Sequence, residues 1–520
     1  MRRILSMQQL QRMTRAELAS FQDRKFARFV RDQVAPNVEY YRRNARSRAI
    51  DLDAVESIAD WQRLGLPLVT KAEYRRHTQE FVASPVASRS GAGADGSTGT
   101  LPGGAIPPSV NVSPLDTRPV LVGTAPVNGD SAYRYFFEVF TAFHTGGSTG
   151  EPTAVHLTRF DCDLYDIAGS REVAIAALHL WRRNMPCRAA NLYPFAIHKG
   201  WWTFNNGVEK VADFSLRSAA GGAIATERLA RHLLQSQVNL MFATPSFLRN
   251  RLLPVLTQAS RDTGISVPPV VVCCLGGEPI LPSLRADVED SFHAIGAETV
   301  IQLNTYGSTE GRFGCFSECA PGTGYHGWGS DLSTVRLIDF RSSTDWEFVE
   351  EGGEGYIAVF PLDGSGSVLP GFVTGDRAVS AAGPCEHCGS SVDRLLSIGR
   401  VQDVASQLRV MGTVESKVKG TTVNLTDLRA TLLDMRGVRE VQVVIDKSDP
   451  SDLSSLDVLK LRVAISDDVE PADLIQNVAS TCKSATEVTP HVEVMELGAL
   501  LGEGVKFRTI DDRRAGRTRL

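Results

Sequence analysis

Between Tyr133 and Arg400 the chain alternates short apolar runs with amphipathic stretches, and this alternation constrains its fold more than any other feature. The runs include VNLMFAT (238–244), VVVCCL (270–275) and VIQL (300–303), each bounded by Gly, Pro or a polar residue. Stretches with helical spacing lie between them, such as TERLARHLLQS (226–236). Short apolar runs separated by helices predict an α/β sheet with crossover helices. Ahead of this region, residues 8–48 read as helix, with Leu18, Phe21, Phe26, Phe29 and Val30 recurring among Arg, Glu and Gln. Residues 84–114, from Ser84 to Pro114, are rich in Ser, Gly, Ala and Pro and read as a flexible insert or a long surface loop. From about residue 401 to 520 the pattern changes. Strand-like VREVQVVI (438–445) and LKLRVAI (459–465) accompany helices near 425–435 and 471–482, which suggests a separate small α+β domain. The expected organisation is a large domain over 1–400 and a small one over 401–520.

Composition narrows the function classes. The chain has 520 residues, 42% of them hydrophobic and 22% charged, with a net charge of −5. That is ordinary globular usage, and it argues against a disordered chain and against a nucleic-acid binder driven by a basic surface. No stretch approaches the roughly 20 apolar residues needed to cross a bilayer, so no membrane partner is expected. Nine cysteines, an odd number in a long chain, fit a reducing cytosol better than a disulfide scaffold, so a cytoplasmic location is expected. The start, Met1-Arg2-Arg3-Ile4-Leu5, is basic but lacks the apolar core of a targeting peptide, and it reads as an amphipathic helix.

The loop TGGSTGEPT (145–153) follows the aromatic, strand-like FFEVFTAF (136–143). Glycines let backbone N–H groups converge on a phosphate, and the Ser and Thr hydroxyls add donors. No Lys follows the last Gly, so it is not a Walker loop. Gly146 to Gly150 also match the G-x-S-x-G nucleophile elbow, but Pro152 disfavours the helix such an elbow must launch from Ser148. An ordinary surface turn is the third reading. The look-alike DGSTGT (95–100) lies in the low-complexity insert and reads as linker.

Further glycine-bearing motifs follow in order: GGEP (276–279), NTYGSTEG (304–311), GFVTGD (371–376), IGR (398–400) and GEGVKFRTIDDRR (502–514). Together with FVRDQVAPNVEYYRRNA…LPLVTKAEYR (29–75), this set resembles the adenylate-forming acid ligase superfamily. It is most similar to the phenylacetate–CoA ligase-like branch, and the resemblance extends over nearly the whole chain. It implies a large adenylate-forming domain with mixed sheets, a small mobile lid, and activation of a small carboxylic acid with ATP, followed by transfer to coenzyme A. Thr145, Ser148, Thr149 and Gly150 would hold the β- and γ-phosphates. Gly277, Glu278, Pro279, Tyr306 and Gly307 would flank adenine, Thr309 would lie near the α-phosphate, Asp376 would accept from the ribose hydroxyls, and Arg400 would reach ribose or phosphate. Glu310 would coordinate Mg2+, for which a carboxylate is a fitting hard ligand. Lys506 would be the adenylation lysine, a long cation able to neutralise charge as the carboxylate meets phosphorus.

Two positions depart from that pattern. Glu151 stands where the family usually has Lys, and Gln402 stands where it usually has the hinge Asp. About ten extra residues precede KVKGTTVNLTDLRATL (417–432), read as a lengthened hairpin. Glu151 bears on the loop's cation contact, whereas Gln402 and the hairpin touch lid function, so an amine or a carrier-protein thiol stays open as acceptor beside coenzyme A. A nucleotide-binding homologue without catalysis also stays open, as does a homodimer.

Within YPFAIHKGWWTF (193–204) and FATPSF (242–247), the resemblance makes Tyr193, Phe195, His198, Trp202, Phe242 and Pro245 candidates for the acyl pocket. Aromatic walls suit a flat apolar acid. His198 or Lys199 would either face the carboxylate or sit as a satisfied surface side chain. Finally, Cys319, His326, Cys385 and Cys388 form C-x6-H…C-x2-C, a donor set suited to structural Zn2+, and relatives in the same branch have a similar set. His387 could replace one ligand, and reduced unliganded thiols are the alternative. The remaining cysteines read mostly as small core residues.

Overall fold

The computed structural model describes residues 3–85, 120–121, 129–145, 153–195, 199–217, 224–277, 280, 282–341, 345–401, 415–419, 421–449, 451–452, 455–466, 469–501 and 509–514. Most of the Ser84–Pro114 insert falls outside these residues. The chain packs as two units, Met1–Phe143 with Ala154–Arg400, and His144–Thr153 with Val401–Leu520.

The large unit is built on a twelve-stranded mixed sheet. In chain order its strands are β1 (Arg188–Asn191), β2 (Phe214–Leu216), β3 (Leu240–Ala243), β4 (Val270–Gly276), β5 (Thr299–Gly307), β6 (Cys315–Glu318) and β7 (Tyr325–His326). They continue with β8 (Ser333–Phe340), β9 (Trp346–Phe348), β10 (Glu354–Pro361), β11 (Phe372–Ser380) and β12 (Arg394–Arg400). The spatial order is β9-β8-β10-β11-β12-β7-β6-β5-β4-β3-β1-β2. From β2 to β5 the neighbours are parallel, and from β5 to β9 they are antiparallel.

The parallel half follows the apolar runs read from the sequence. Helices Thr226–Gln235, Leu253–Thr263 and Pro282–His293 lie between its successive strands. Successive side chains of a strand point to opposite faces, so an all-apolar run needs a core on each side. Val271, Cys273 and Leu275 enter a cluster with Leu229, Leu256 and Phe292. Val270, Val272 and Cys274 enter another with Val173, Phe204 and Val208. The expected crossover helices stop at β5. Beyond it the strands pair antiparallel, and among the described residues no helix lies between them.

The predicted single helix over 8–48 is instead divided. Ser6 and Thr14 each form a capping box, with Gln9 and Glu17, so helices start at Met7 and at Arg15. Val38, just past Pro36 and Asn37, is extended and precedes the helix Glu39–Ser47. Apolar spacing runs across these breaks, so it does not reveal them. The long helix Arg159–Trp181 starts at a third capping box, Thr158 with Asp161, and is buried nearly all round.

The small unit has a sheet in the order His491–Met495, Asp457–Ile465, Val438–Lys447, Ile510–Asp512. Helices Leu425–Leu433 and Pro471–Thr486 accompany it, and Leu428, Val443, Leu461, Val478 and Cys482 share its core. All nine cysteines are free. Burial pushes the Cys187 and Cys273 thiols up to about 12, as expected of inert core residues.

Candidate functional site

The C-terminal ends of parallel strands are where open α/β sheets gather ligands. Here β4 and β5 end side by side, with Gly276 opposite Thr305. A Cβ at Gly276 would lie 2.2 Å from Thr305 Oγ1 and 2.9 Å from the Tyr193 hydroxyl, so only glycine fits. Gly277 turns the chain with φ +82°, a conformation that also favours glycine. Glu278 and Pro279 lie outside the described residues, as do Ser148, Thr149, Gly150, Glu151, His198, Gln402 and Lys506. Thr145 ends the strand Val139–Thr145.

Near the end of β5, the side chain of Tyr306 reaches the antiparallel half of the sheet. Its hydroxyl donates to Asp376 Oδ2 at 2.8 Å, with Thr374 Oγ1 3.3 Å away. Asp376 lies opposite Arg400 in the β11–β12 register. The structure therefore brings together Tyr306, Asp376 and the backbone of Arg400, which come from three separate motifs.

Residues Ser308 to Arg312 form a tight turn. Gly311 N–H donates to Ser308 Oγ at 2.9 Å, and Arg312 N–H donates to the Thr309 carbonyl at 3.2 Å. Arg312 adopts φ +53°, which is costly for a side chain with a Cβ. Its buried guanidinium pairs with Asp161 and donates to the Ser367 carbonyl at 2.7 Å. Asp161 in turn accepts from Ser365 N–H and Gly366 N–H at 2.9 and 2.7 Å. Glu310 stands in the turn and is buried. Lys71 Nζ lies 3.7 Å from its Oε1, and that oxygen accepts no hydrogen bond. A buried carboxylate oxygen in this state fits a divalent cation, whose preferred ligands are hard oxygens.

Lys199 is buried, at the start of the helix Lys199–Val211. Its ammonium donates to the Ser308 carbonyl at 3.3 Å and to the Arg312 carbonyl and sits 5.3 Å from the Tyr165 ring centre, and its charge opposes the burial that raises the Cys315 thiol. It is thus not a surface lysine. On the neighbouring helix, burial pushes Glu172 up to about 8, against the Ser317 side chain and the charge of Lys199, and neither of its carboxyl oxygens has a hydrogen-bond partner. Sequence reading did not single out Lys71, Asp161, Glu172 or Arg312, because each acts through a contact between remote segments.

The five acyl-pocket candidates among the described residues do not form one group. Tyr193 stacks on Phe204 with ring centres 5.4 Å apart, and Phe204 stacks on the fully buried Phe242 at 4.6 Å. Phe195 and Trp202 are exposed, and together with Trp201 they form a separate aromatic cluster. Pro245 opens the short helix Pro245–Phe247 past β3.

Cys319, His326, Cys385 and Cys388 converge, with their ligand atoms all within 4.8 Å of one another. Cys319 Sγ and Cys385 Sγ are 3.8 Å apart, and Cys388 Sγ is 3.5 Å from His326 Nε2. His326 Nδ1 is 2.9 Å from the Gly324 carbonyl, which assigns the proton to Nδ1 and leaves the Nε2 lone pair aimed at the cysteines. Gly389, at φ +72°, closes the turn by donating to the Cys385 carbonyl at 2.7 Å. The contact between Cys319 and Cys388 lowers the Cys388 thiol and raises that of Cys319. The donor set and its size fit tetrahedral zinc, and His387 is not part of it. Leu5, with Met7, Leu10 and Leu18 from the N-terminal helices, packs with Trp328, Cys319 and Cys385.

Among the described residues no helix is long and apolar enough to cross a membrane. No protein-family model matches the chain, and no curated protein matches it. Solved structures do. The 2-hydroxyisobutyryl-CoA ligase bound to 2-HIB-AMP and CoA in the thioesterification state is similar over 97% of this chain and 92% of that one, with TM-score 0.70 and 16% identity. The same ligase in its postadenylation state with 2-HIB-AMP is similar over 96% and 91%, with TM-score 0.53 and 18% identity. Over nearly its whole length, the chain shares the fold of an adenylate-forming CoA ligase.

Proposed function

We propose that the chain activates a carboxylic acid with ATP and passes the acyl group to a thiol. A carboxylate oxygen attacks the α-phosphorus, the bond to the pyrophosphate oxygen breaks, and acyl-AMP forms. The sulfur of coenzyme A then attacks the acyl carbonyl, AMP leaves with the carboxylate oxygen, and the thiol proton passes to solvent. The observation that carries this reading is the hydrogen bond from Tyr306 to Asp376 beside a turn bearing Thr309 and the buried Glu310, in a fold shared with a CoA ligase.

In this reading Tyr306, Gly307 and Gly277, with Glu278 and Pro279, flank adenine, and Asp376 accepts from the ribose hydroxyls. Arg400 reaches ribose or phosphate. Thr309 lies against the α-phosphate, while Thr145, Ser148, Thr149 and Gly150 wrap the outer phosphates. Glu310 holds Mg2+, which when bound offsets phosphate charge. Lys506 neutralises charge developing between carboxylate and phosphorus. Tyr193 contributes to an acyl pocket for an aromatic acid, and the four Cys and His ligands hold a structural Zn2+. Gln402 favours a second reading, in which the acyl group goes to an amine or a carrier-protein thiol. A cytoplasmic location goes with either.

The test is pyrophosphate release from ATP and Mg2+ across aryl, arylacetic and aliphatic acids. One acid class should support release, and Lys506→Ala should lower it by about a hundredfold or more, the usual scale for a transition-state charge contact. ATP binding without acid-dependent release would mark a nucleotide-binding homologue and sink the ligase reading.

A further inference from the structure

We propose that Lys199 is a positioning residue that sets the geometry of the Mg2+-binding turn; the inference rests on the ligase reading above. The turn Ser308–Arg312 carries Thr309 and Glu310 between two ends that the ammonium of Lys199 ties together, through the carbonyls of Ser308 at 3.3 Å and of Arg312. A lysine ammonium has three donors. Two of them go to the ends of the turn. With the Ser308 and Arg312 carbonyls as partners, the buried ammonium holds its charge under the turn.

The turn requires such a tie. Its own hydrogen bonds are few, and Arg312 is held at positive φ. Arg312 is fixed from its far end by Asp161 and the Ser367 carbonyl, and Glu310 faces Lys71. Glu310 must exchange that ion pair for the metal when Mg·ATP arrives, so its position depends on the backbone beneath it. A Cβ on Gly307 would lie 3.5 Å from Lys199 Nζ, which puts the lysine directly against the residue joining the adenine-flanking Tyr306 to the turn. Lys199 therefore acts on the metal and phosphate end of the site. The acid end should not depend on it.

The experiment compares the full-length wild type with Lys199→Met, which keeps the bulk and removes the ammonium. Binding of a fluorescent ATP analogue is titrated with Mg2+, and pyrophosphate release is measured against Mg2+ and against acid. Leaving two buried carbonyls without a donor should raise the half-saturating Mg2+ about tenfold or more, with KM for the acid nearly unchanged. Ser308→Ala, which loosens the same turn from within, should shift Mg2+ in the same direction and serves if Lys199→Met does not fold. A folded Lys199→Met that binds Mg2+ and the analogue like wild type would overturn the proposal, as would a change confined to KM for the acid. If the wild type itself fails to bind Mg·ATP, the ligase reading falls and takes this one with it.

Discussion

Glu172 lies in the interior of the large unit with its carboxyl held mainly neutral by burial, and that has a consequence for stability. Its folded pKa, about 8, is above its ordinary value of 4.5. A group raised on folding binds more protons in the native state, so its contribution is complete below about 4.5 and is lost as pH rises through about 8. Lys199 and Ser317 face it and limit the rise. Glu172→Gln should remove this dependence. Between pH 5 and pH 8.5 the wild type should lose several degrees of melting temperature relative to the variant, and a constant difference across that range would refute the assignment. A single-residue reading of the sequence had no access to this. Glu172 occurs in an ordinary helical stretch, and its chemistry comes from residues 27 and 145 positions away. The same holds for Lys199, read from sequence as a surface side chain or a carboxylate contact and found beneath a turn more than a hundred residues downstream.

At the scale of the element, the Cys/His knuckle was legible because residue type and spacing carry it. Few arrangements other than a metal site use C-x2-C with a remote Cys and His. The sequence left His387 as a possible substitute ligand, and the turn closed by Gly389 selects Cys388 instead. Packing of Leu5, Met7, Leu10 and Leu18 beside the cluster joins the N-terminal helices to it. Cys385→Ser should therefore lose close to one zinc per chain by elemental analysis. It should also lower the melting temperature by roughly 5 °C or more, as loss of a structural metal does. Full-length protein purified without zinc, or a variant as stable as wild type, would leave the cluster as reduced thiols. The strands show where pattern reading stops. Apolar runs of β3 to β5 were visible because both faces are covered. The antiparallel strands from β6 onward alternate less regularly, and their order in the sheet is decided by pairing across long gaps.

For the whole molecule, the open question is the acceptor. If acyl transfer goes to coenzyme A, the active acid should yield a coenzyme A-dependent thioester, while hydroxylamine traps acyl-AMP as hydroxamate whichever acceptor is used. Hydroxamate formation without thioester would move the second half-reaction to an amine or a carrier thiol and would give weight to Gln402. The ordered motifs, the two-part organisation and the Cys/His set follow from the sequence by itself, because local residue type and spacing suffice to state them. Only tertiary structure decided that Tyr306 meets Asp376, that Arg312 is anchored by Asp161, that Glu310 faces Lys71, and that the aromatic candidates divide between core and surface. The physical reason is that each of these depends on which side chain a sheet or buried helix brings within a few ångströms of another, and that proximity is set by long-range packing.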